Sequence, residues 1–549
     1  MYQGLVFIFN AILIIIEFLT EKKCRIFVLL LNSIFILSEV LIKKTFYMLK
    51  IEIALIFLFT IYMCRYFSYW KNRGVVFETP VPLFGNVLEF YKPWKISPGN
   101  IIKNLYDKYS NYPYVGFFLY DEPCLLLRDR EIIKRILTRD FKFFTDKFMQ
   151  SCEQDSLSNK SLPFLPHDEW KELRTILASA FTPKKLKENF YHLKKVSAIL
   201  DDHLSEFKKT NPGEAIDIKE VIAKYETDIT GLTQFSVMLN CLTEPDSEFR
   251  LYGKILFGNF INVRCRELMA VYMMPRWLKN LFGYRFIEKP SGEYFKKKFL
   301  DIIRIKKLRK ENNESNGNIQ KDFLDILIEY HEKNSSFSLN DIISQAIVFF
   351  TAGFDTTSTV TSFALFELAR NSSVQNKLRK KLKDALEETG GQITYELINS
   401  LSFLEDIVLE TLRLHPTVPT IDRIAVQDYL IEETNLLIKK GTPIFISVTG
   451  LHCDENNFNN PKIFDPENFG KSDASKNSAY MSFGIGVRSC IAKQWGMIQV
   501  KYSLAHIISN YEINLSNNTS VEIDPHVYFT SGKKGLFVHL DKIKHLIED

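Results

Sequence analysis

The chain has 549 residues, of which 46% are hydrophobic and 13% aromatic, and this is enough to build one large core or two domains. Its 70 basic and 65 acidic residues leave a formal net charge of only +5, which argues against nucleic acid as a partner. The 8 cysteines contain no C-x-x-C pair, so they predict neither a disulfide framework nor a zinc site.

Apolar stretches dominate the N-terminus, and one of them has the features of a membrane anchor. Residues 53–64 carry no charged side chain and run into an aromatic belt that is followed by Lys71 and Arg73. We therefore expect residues 48–74 to form a membrane anchor with a basic flank on the cytosolic side. We interpret residues 1–47 as an apolar extension that arises from the gene model. The alternative is a genuine anchor with two or three membrane passes.

The remainder of the chain shows mostly helical periodicity of its apolar residues. Short runs typical of strands occur at Tyr114–Leu119, Leu125–Leu127 and Leu536–Leu540. No segment with the composition of a linker divides residues 75–549. We therefore predict a single large domain that is mainly α with a minor β portion.

A long helix is predicted in the middle of the chain. Ser338 and Asp341 fit a capping box, and helical spacing continues beyond them for about 48 Å. The middle of this helix reads A-G-F-D-T-T over residues 352–357, which is poor in helix formers. We expect the Thr356 hydroxyl to bond back to the carbonyl of Ala352 and open the helix there. The alternative is a tolerated glycine kink in a core helix.

Two pairs of side chains share predicted helix faces, one pair before and one after the long helix. Trp170 and Arg174 are four residues apart, and Glu410 and Arg413 are three residues apart. An exposed ion pair at the spacing of Glu410 and Arg413 stabilises a helix by only about 0.2–0.5 kcal/mol. Taken singly, neither pair indicates a function.

Near the C-terminus, residues 483–492 read F-G-I-G-V-R-S-C-I-A and frame one cysteine, Cys490. Gly484 and Gly486 allow a tight turn that aims backbone N–H groups at the sulfur. A helix is predicted to follow, and its N-terminus favours the thiolate, so we expect a lowered pKa for the thiol. Arg488 lies two residues before Cys490. If the cysteine binds a ligand that carries a carboxylate, the arginine is placed to meet that carboxylate. The alternative for a lone cysteine is a small buried apolar side chain.

Together these motifs resemble those of the cytochrome P450 superfamily. Residues 483–492 match its cysteine-loop signature F-x-x-G-x-R-x-C-x-G, except that Ala492 replaces the last glycine. Residues 352–357 match the A/G-G-x-D/E-T-T motif, and W-x-x-x-R and E-x-x-R occur in the expected order. The resemblance covers residues 75–549. Within the superfamily, the chain is similar in particular to insect microsomal members linked to xenobiotic metabolism. It implies a haem-thiolate monooxygenase fold behind an N-terminal membrane anchor.

The resemblance also implies roles for individual residues. Cys490 is expected to bind the iron of haem b as its axial ligand, and Asp355 and Thr356 are expected to deliver protons to oxygen. Lys147 stands where related sequences often carry an arginine that binds a haem propionate. The residues expected to contact haem are Cys490, Trp170, Arg174, Arg423, Arg488, Phe483, Gly484, Gly486 and Ala352.

Glu410 and Arg413 are expected to be buried and to brace the cysteine loop. In the family a further arginine from a P-E-R-F segment supports this pair, and Asn468 stands in its place here. Because an amide cannot form a charged fork with Glu410, we expect a weaker brace.

The expected substrate pocket is apolar and suits a lipophilic substrate with few polar groups. Further walls are expected at residues 156–164 and 529–532, and residues 273–284 combine apolar, aromatic and basic side chains as a membrane-dipping segment would. For residues 273–284 a buried packing helix is the alternative. The side chains predicted to line the pocket are Phe349, Phe350, Phe354, Val418, Thr420 and Ile421.

The implied enzyme inserts one oxygen atom of O2 into a lipophilic small molecule at the endoplasmic reticulum membrane. Its electrons are expected from NADPH through a flavoprotein reductase that docks on lysines, with cytochrome b5 as a further candidate donor. Two alternatives stay open. A haem-thiolate isomerase is disfavoured by the acid–threonine pair. A non-catalytic haem- or lipophile-binding membrane protein is favoured only by Asn468, Ala492 and the proline-rich hinge at residues 79–86, which departs from the family's usual P-P-G-P.

Overall fold

The computed structural model describes residues 52–61, 68–82, 84–87, 97–257, 262–312, 321–470, 478–516, 522–524 and 527–543. The predicted extension over residues 1–47 lies outside these ranges, and so does part of the predicted anchor. The chain divides into two compact units, Met1–Tyr91 with Val115–Leu125 and Lys92–Tyr114 with Leu126–Asp549.

In the smaller unit, residues 52–61 are helical and expose a series of apolar side chains that includes Leu55 and Leu58. The Trp70 indole packs flat against Gly116 and donates a hydrogen bond to the Phe117 carbonyl at 3.2 Å. The strands β1 (Tyr114–Leu119) and β2 (Glu122–Leu127) are neighbours in one sheet. In the part of the chain that the structure describes, no helix combines the length and apolar character needed to cross a bilayer.

The larger unit is mainly helical, as the periodicity predicts. Its helices are, in chain order, α1 (Pro98–Lys108), α2 (Arg130–Leu137), α3 (Ser156–Asn159), α4 (His167–Leu177), α5 (Pro183–Thr210), α6 (Ile218–Phe235), α7 (Glu248–Leu256), α8 (Asn262–Met273), α9 (Arg276–Phe282), α10 (Lys289–Glu311), α11 (Phe323–Lys333), α12 (Leu339–Arg370), α13 (Ser372–Glu388), α14 (Tyr395–Ser400), α15 (Ser402–Leu414), α16 (Val448–His452), α17 (Glu467–Gly470) and α18 (Lys493–Asn510).

Small antiparallel sheets complete this unit. Its strands are β3 (Ile216–Asp217), β4 (Thr420–Ile424), β5 (Tyr429–Ile431), β6 (Leu436–Ile438), β7 (Pro443–Ser447), β8 (Tyr511–Leu515) and β9 (Phe537–Lys542). β4 pairs with β7, with Thr420 opposite Ser447. β9 lies between β3 and β8, and β5 pairs with β6. The strand runs predicted near both ends of the domain correspond to β1, β2 and β9.

Helix α12 is the predicted long helix, and it carries the centre of the larger unit. Both halves of its capping box form, since the Ser338 and Asp341 side chains each accept from the other residue's backbone N–H. Helix α6 approaches it closely, because a methyl group at Gly353 would lie only 3.2 Å from Cγ2 of Thr230. Most of α12 is therefore buried, and one turn near its middle opens into a cavity.

Candidate active site

A cavity of about 340 Å³ lies between α12, the start of β4 and the cysteine loop at residues 481–490. Its walls are mainly apolar, with a few ionisable groups among them. Helix α12 contributes Val348, Thr351, Ala352, Asp355, Thr356, Thr357 and Val360.

The turn of α12 at the cavity has two threonines that bond back to the helix. Thr356 Oγ1 donates to the Ala352 carbonyl at 2.8 Å, which confirms the bond predicted from the sequence, but α12 continues through this turn without the predicted opening. Thr357 Oγ1 donates in the same way to the Gly353 carbonyl at 2.6 Å. Because each hydroxyl has one hydrogen, its oxygen lone pairs stay available to accept from other groups.

Asp355, which also lines the cavity, has a cationic partner that the sequence did not reveal. Lys219 Nζ on α6 lies 3.8 Å from Asp355 Oδ1. It also donates to the hydroxyls of Ser358 and Thr359 at 2.9 and 2.7 Å. Burial lowers the pKa of Lys219, and the Asp355 carboxylate acts in the opposite direction. The site thus connects a cavity carboxylate to a buried lysine on a second helix.

The cysteine loop is a tight turn that requires its glycines. Gly484 and Gly486 have φ values of +67° and +74°, which favour glycine. A methyl group at Gly486 would also collide with the Leu137 carbonyl oxygen. The Cys490 N–H donates to the Phe483 carbonyl at 2.8 Å and closes the loop. This backbone arrangement presents the Cys490 side chain to the cavity.

The Cys490 thiol lies deep in the protein, but its surface is open to the cavity. Burial raises the pKa of the thiol, while the Ala492 N–H and the cations Arg174 and Lys493 act against this rise. The expectation of a lowered pKa is therefore wrong, because burial outweighs the hydrogen bond and the cations around the sulfur. Such a thiol becomes a thiolate when a metal cation displaces its proton.

Buried cations collect on one side of the cavity. Arg423, Arg488 and Lys147 all line it, and burial lowers the pKa of Lys147 to about 8 and that of Arg488 to about 10. The Nε atoms of Arg423 and Arg488 are buried and have no hydrogen-bond partner among the described residues. Buried donors need hydrogen-bond acceptors, and an anionic acceptor also offsets the charge of a buried guanidinium.

Trp170 and Arg174 on α4 reach this group of cations without lining the cavity themselves. The Trp170 ring centroid lies 4.4 Å from the guanidinium of Arg488 and 5.5 Å from that of Arg174. Arg488 Nη2 also donates to the Leu165 carbonyl at 3.1 Å. The ring therefore orients the arginine of the cysteine loop.

Glu410 and Arg413 form a fully buried ion pair, with distances of 2.7 and 2.8 Å in a two-pronged arrangement. Arg413 also donates to the carbonyls of His452, Pro461 and Ile463 at 3.0, 2.6 and 3.1 Å. Asn468 Nδ2 donates to Glu410 Oε1 at 3.3 Å, where the resemblance implies an arginine. The pair is thus tied to the backbone over residues 452–463.

His452 connects this pair to the cysteine loop, and no sequence motif predicted this role. The backbone N–H of Met481, at the start of the loop, donates to His452 Nε2 at 3.0 Å. The other ring nitrogen lies 3.1 Å from the Arg413 carbonyl. Burial lowers the pKa of His452 to about 3, so the imidazole is neutral and Nδ1 carries the hydrogen.

The pocket prediction is wrong for three residues of α12. Phe349, Phe350 and Phe354 do not line the cavity; they belong to the apolar core that includes residues of α6, α10 and α11. The apolar pattern of a nearly fully buried helix does not show which face meets the cavity. Of the other predicted pocket and haem-contacting residues, those that line the cavity are Val418, Thr420, Ile421, Ala352, Phe483, Gly484, Arg423, Arg488 and Cys490.

Aromatic side chains supply further walls. Phe164 and Phe529 come from the stretches at 156–164 and 529–532 that were expected to contribute, whereas Phe257, Tyr272 and Phe286 were not foreseen. These rings pack against each other, with centroid distances such as 5.0 Å for Phe164–Phe286 and 5.5 Å for Phe257–Phe529. They come from segments far apart in the sequence, so no local pattern could group them.

A cavity shared by a cysteine thiol, an acid–threonine pair and buried cations defines the class of haem-thiolate proteins. A family model described as Cytochrome P450 matches residues 76–539. The chain is 34% identical over 501 residues to "Cytochrome P450 6k1" of Blattella germanica, covering 86% of this chain and 93% of that protein. It is 32% identical to "Probable cytochrome P450 6g2" of Drosophila melanogaster, covering 87% and 95% respectively. The chain therefore belongs to the cytochrome P450 family and is a haem-thiolate monooxygenase.

The residues of the cavity fit the haem that this family binds. Haem carries two propionate carboxylates, and the unpartnered Nε atoms of Arg423 and Arg488 are donors of the kind that such anions need. The Cys490 thiol opens into the same cavity and is a soft ligand suited to iron.

Proposed function

We propose that this protein oxidises lipophilic small molecules with O2, using electrons that NADPH supplies through a flavoprotein reductase. The observation that carries the proposal is that the Cys490 thiol and the Asp355–Thr356 pair line one cavity. Bound haem supplies oxygen activation, which a cysteine thiolate on its iron promotes. The surrounding residues then have four tasks: to hold the ligand, anchor the propionates, manage protons and bind substrate.

Cys490 is the proposed axial ligand. The loop hydrogen bonds from Gly484 to Met481 and from Cys490 to Phe483, both 2.8 Å, hold its backbone rigidly. The Glu410–Arg413 pair supports the loop indirectly through His452, which accepts from Met481. A ligand held in this way keeps its position whatever occupies the rest of the cavity.

Arg423 and Arg488 are the proposed propionate anchors, with Lys147 as a third cation. Trp170 stacks on Arg488 and keeps its guanidinium in place, and Arg174 adds positive charge near the thiol. Because these cations are buried, their interaction with carboxylates is screened less than at the surface.

Thr356 and Asp355 are the proposed proton-handling groups. The Thr356 hydroxyl donates to a backbone carbonyl and accepts with its lone pairs, so it can hold a proton donor in the cavity. Asp355 is partly exposed and lies 3.8 Å from Lys219. Through this contact Asp355 would pass protons between the cavity and Lys219 on α6.

The proposed substrates are lipophilic. The wall formed by Phe164, Phe257, Phe286 and Phe529 offers aromatic surface with no hydrogen-bonding groups. The charged side chains that line the cavity are limited to Lys147, Asp355, Asp422, Arg423 and Arg488. Such a lining suits a largely apolar molecule with few polar groups.

Electron donors are proposed to dock near the cysteine loop. Lys493 is exposed and its Nζ lies 5.6 Å from the ring centroid of Phe483 in that loop. Lys184 is also largely exposed, whereas Lys187 pairs with Glu396. An acidic reductase surface is the complementary partner, and cytochrome b5 is a second donor of the same charge character.

We further propose that the protein works at the endoplasmic reticulum membrane with residues 75–549 as the catalytic domain on the cytosolic side. Residues 48–74 would anchor it, consistent with the exposed apolar side chains over residues 52–61. Residues 1–47 are interpreted as an extension from the gene model. Helix α9 exposes Trp277, Leu281 and Phe282, which suits contact with a bilayer surface.

The proposal is tested with the full-length protein, a reductase and NADPH in lipid vesicles. A panel of lipophilic compounds is first screened for those that change the spin state of the iron. We expect such compounds to accelerate NADPH consumption and to gain one oxygen atom, seen by mass spectrometry. Formation of the oxygenated product without NADPH, or isomerisation of a peroxide without O2, would instead support the alternative that the protein is a haem-thiolate isomerase.

A further inference from the structure

A tyrosine hydroxyl and a carboxylate reach the cavity from two different elements of the fold. Tyr272 on α8 and Asp422 on β4 both line it. Their side chains are more than nine-tenths buried, since the two residues are only 8% and 9% exposed. Neither has a task in the proposed binding of haem or in the proposed delivery of protons. Because buried polar groups are normally hydrogen-bonded, their partners have to be accounted for.

Tyr272 is held in place by stacking and not by its hydroxyl group. Its ring lies on that of Tyr528, with the centroids 3.7 Å apart and the planes inclined by 13°. Phe286 and Phe529 meet it edge-on at centroid distances of 6.5 and 5.9 Å. The Tyr272 hydroxyl makes no hydrogen bond to another described residue. It is therefore a polar group within the aromatic wall that can both donate and accept.

One oxygen of the Asp422 carboxylate is also without a partner. Oδ2 accepts from the Met149 N–H at 2.9 Å, but no residue in the described part of the chain donates to Oδ1. Burial lowers the pKa of Lys147 and of Lys279, and the Asp422 carboxylate acts in the opposite direction on both. Lysines of the protein thus already oppose the charge of Asp422. What Oδ1 lacks is a hydrogen-bond donor.

Strand β4 brings Asp422 to the side on which Tyr272 lies. Side chains alternate along a strand, so Asp422 shares a face with Thr420, and Arg423 lies on the other face. Thr420 is hydrogen-bonded to the hydroxyl of Tyr528, which is the ring that Tyr272 stacks on. Burial raises the pKa of Tyr272, and the Tyr528 and Asp422 side chains add to the rise. The two polar groups are thus neighbours, on the face opposite that of the proposed propionate anchor.

The chemistry of the two groups selects among possible ligands. A carboxylate, such as a haem propionate, would be repelled by Asp422 and would bring no hydrogen to Oδ1. A protonated amine would satisfy Oδ1, but it would leave the hydrogen of the Tyr272 hydroxyl without an acceptor. A neutral hydroxyl group donates one hydrogen bond and accepts another. A single alcohol oxygen therefore satisfies both groups.

We propose that Asp422 and Tyr272 form a polar subsite that binds the hydroxyl group of a lipophilic alcohol. The alcohol donates to Asp422 Oδ1 and accepts from the Tyr272 hydroxyl, while its apolar body contacts Phe286 and Phe529. The substrates are thereby narrowed from lipophilic molecules in general to those that carry a hydroxyl group. This inference rests on the proposed function, because it names the substrate class of the same cavity.

Equilibrium dialysis with two probes of equal size tests the subsite without turnover. Phenylbutanol and pentylbenzene differ only in that a terminal hydroxyl replaces a methyl group. The haem-loaded, full-length protein in phosphatidylcholine vesicles is dialysed against the same vesicles without protein, and the excess of probe on the protein side gives its Kd. Because lipid partitioning is the same for every variant, the change in the ratio of the two Kd values isolates the contribution of the substituted side chain.

Tyr272→Phe removes the hydroxyl and keeps the stacked ring. We expect the Kd of phenylbutanol to rise about fivefold, as for the loss of one hydrogen bond, while that of pentylbenzene does not rise. Tyr294→Phe is the matched control, because Tyr294 stacks on Tyr252 at a centroid distance of 4.1 Å but does not line the cavity. It should leave both Kd values unchanged. An unchanged Kd of phenylbutanol in Tyr272→Phe, or an equal rise for both probes, would overturn the proposal.

Asp422→Asn is an independent second variant. Asparagine still offers an oxygen to the Met149 N–H, but it presents a donor to the cavity where Asp422 presents an acceptor. Phenylpropyl methyl ether has the size of phenylbutanol and can only accept. We therefore expect the ratio of the ether Kd to the alcohol Kd to fall about fivefold in this variant. A ratio equal to that of the wild type would contradict the role of Asp422.

Binding and turnover fail separately in this design. If no probe is oxygenated in the presence of reductase and NADPH, the proposed function fails, and dialysis still decides whether the subsite exists. If oxygenation proceeds but the Kd of phenylbutanol does not respond to Tyr272→Phe, the proposed function stands and the subsite is contradicted.

Discussion

Two threonines of α12 differ in what their hydroxyl groups can do. Thr356 lines the cavity and donates to the Ala352 carbonyl at 2.8 Å. Thr361, on the same helix, is fully buried, and its hydroxyl has no hydrogen-bond partner in the described part of the chain. Of these two threonines, only Thr356 faces the cavity in which we propose that oxygen reacts.

Replacing Thr356 with valine keeps the shape of the side chain and removes the hydroxyl. We expect NADPH consumption with reductase to continue, while product per NADPH falls about tenfold or more and hydrogen peroxide accumulates. Product, peroxide and NADPH are measured together. Thr361→Val is the matched control and should behave like the wild type. If the two variants form equal amounts of product per NADPH, Thr356 takes no part in proton delivery.

Asn468 makes a longer hydrogen bond to the buried Glu410–Arg413 pair than the two residues of the pair make to each other. Its amide donates to Glu410 at 3.3 Å, compared with 2.7 and 2.8 Å for the contacts of Arg413. An arginine at this position would add a charged donor to the same carboxylate.

Asn468→Arg should therefore strengthen the brace. We expect a gain of about 1 kcal/mol in stability, seen as haem retained to a higher temperature. The loss of the haem absorption band on heating measures the effect. Asn468→Gln keeps an amide and should change little. If the arginine variant loses haem at the same temperature as the wild type, the brace is already complete without that charge.

The cysteine loop depends on two glycines that face different surroundings. Gly486 has a positive φ, and a methyl group there would collide with the Leu137 carbonyl. Gly484 also has a positive φ, but its nearest neighbour to such a methyl group is Ser489 Cα at 3.7 Å. The two positions therefore share the conformational cost of alanine and differ in the collision.

Gly486→Ala should damage the loop more than Gly484→Ala. A left-handed conformation costs a non-glycine residue about 1–2 kcal/mol, which applies to both variants. The collision at Gly486 adds to this, so we expect Gly486→Ala to bind less haem or none. Haem content per protein after purification is the measurement. The opposite order of the two variants would contradict the loop geometry.

The elements also show which features the sequence can predict. The bounds of α12, its capping box and the bond from Thr356 to Ala352 depend on residues close together in the chain, and these predictions are confirmed. The prediction that Phe350 and its neighbours line the pocket was wrong, because periodicity in a buried helix does not identify the face that meets the cavity. Lys219 and His452 join the site through contacts between distant segments, which no local pattern contains.

The nearly balanced charge of the whole chain gives no strong electrostatic attraction to membranes. Exposed apolar side chains provide a different means of contact. On the short helix α9, Trp277, Leu281 and Phe282 are 56%, 69% and 59% exposed, whereas Leu278 is buried. The exposed face of α9 is thus apolar over much of its length.

We expect Trp277 to lie in the lipid interface when the full-length protein is bound to vesicles. Brominated lipids quench tryptophan fluorescence at close range, so part of the emission should be quenched. Trp277→Phe should lose that quenchable part, while the buried Trp170 gives the same emission in both proteins. Unchanged quenching in Trp277→Phe would place α9 away from the bilayer.

We propose that Cys490 supplies a thiolate to haem iron in the cavity lined by Asp355 and Thr356. The absorption spectrum of the reduced, CO-bound protein is the decisive measurement, because its Soret band reports the axial ligand. We expect a thiolate-type Soret band in the wild type, its loss in Cys490→Ser, and its retention in Cys453→Ser, which changes a free cysteine outside the cavity. A haem-loaded wild type without that band, or a band that survives in Cys490→Ser, would show that Cys490 is not the iron ligand.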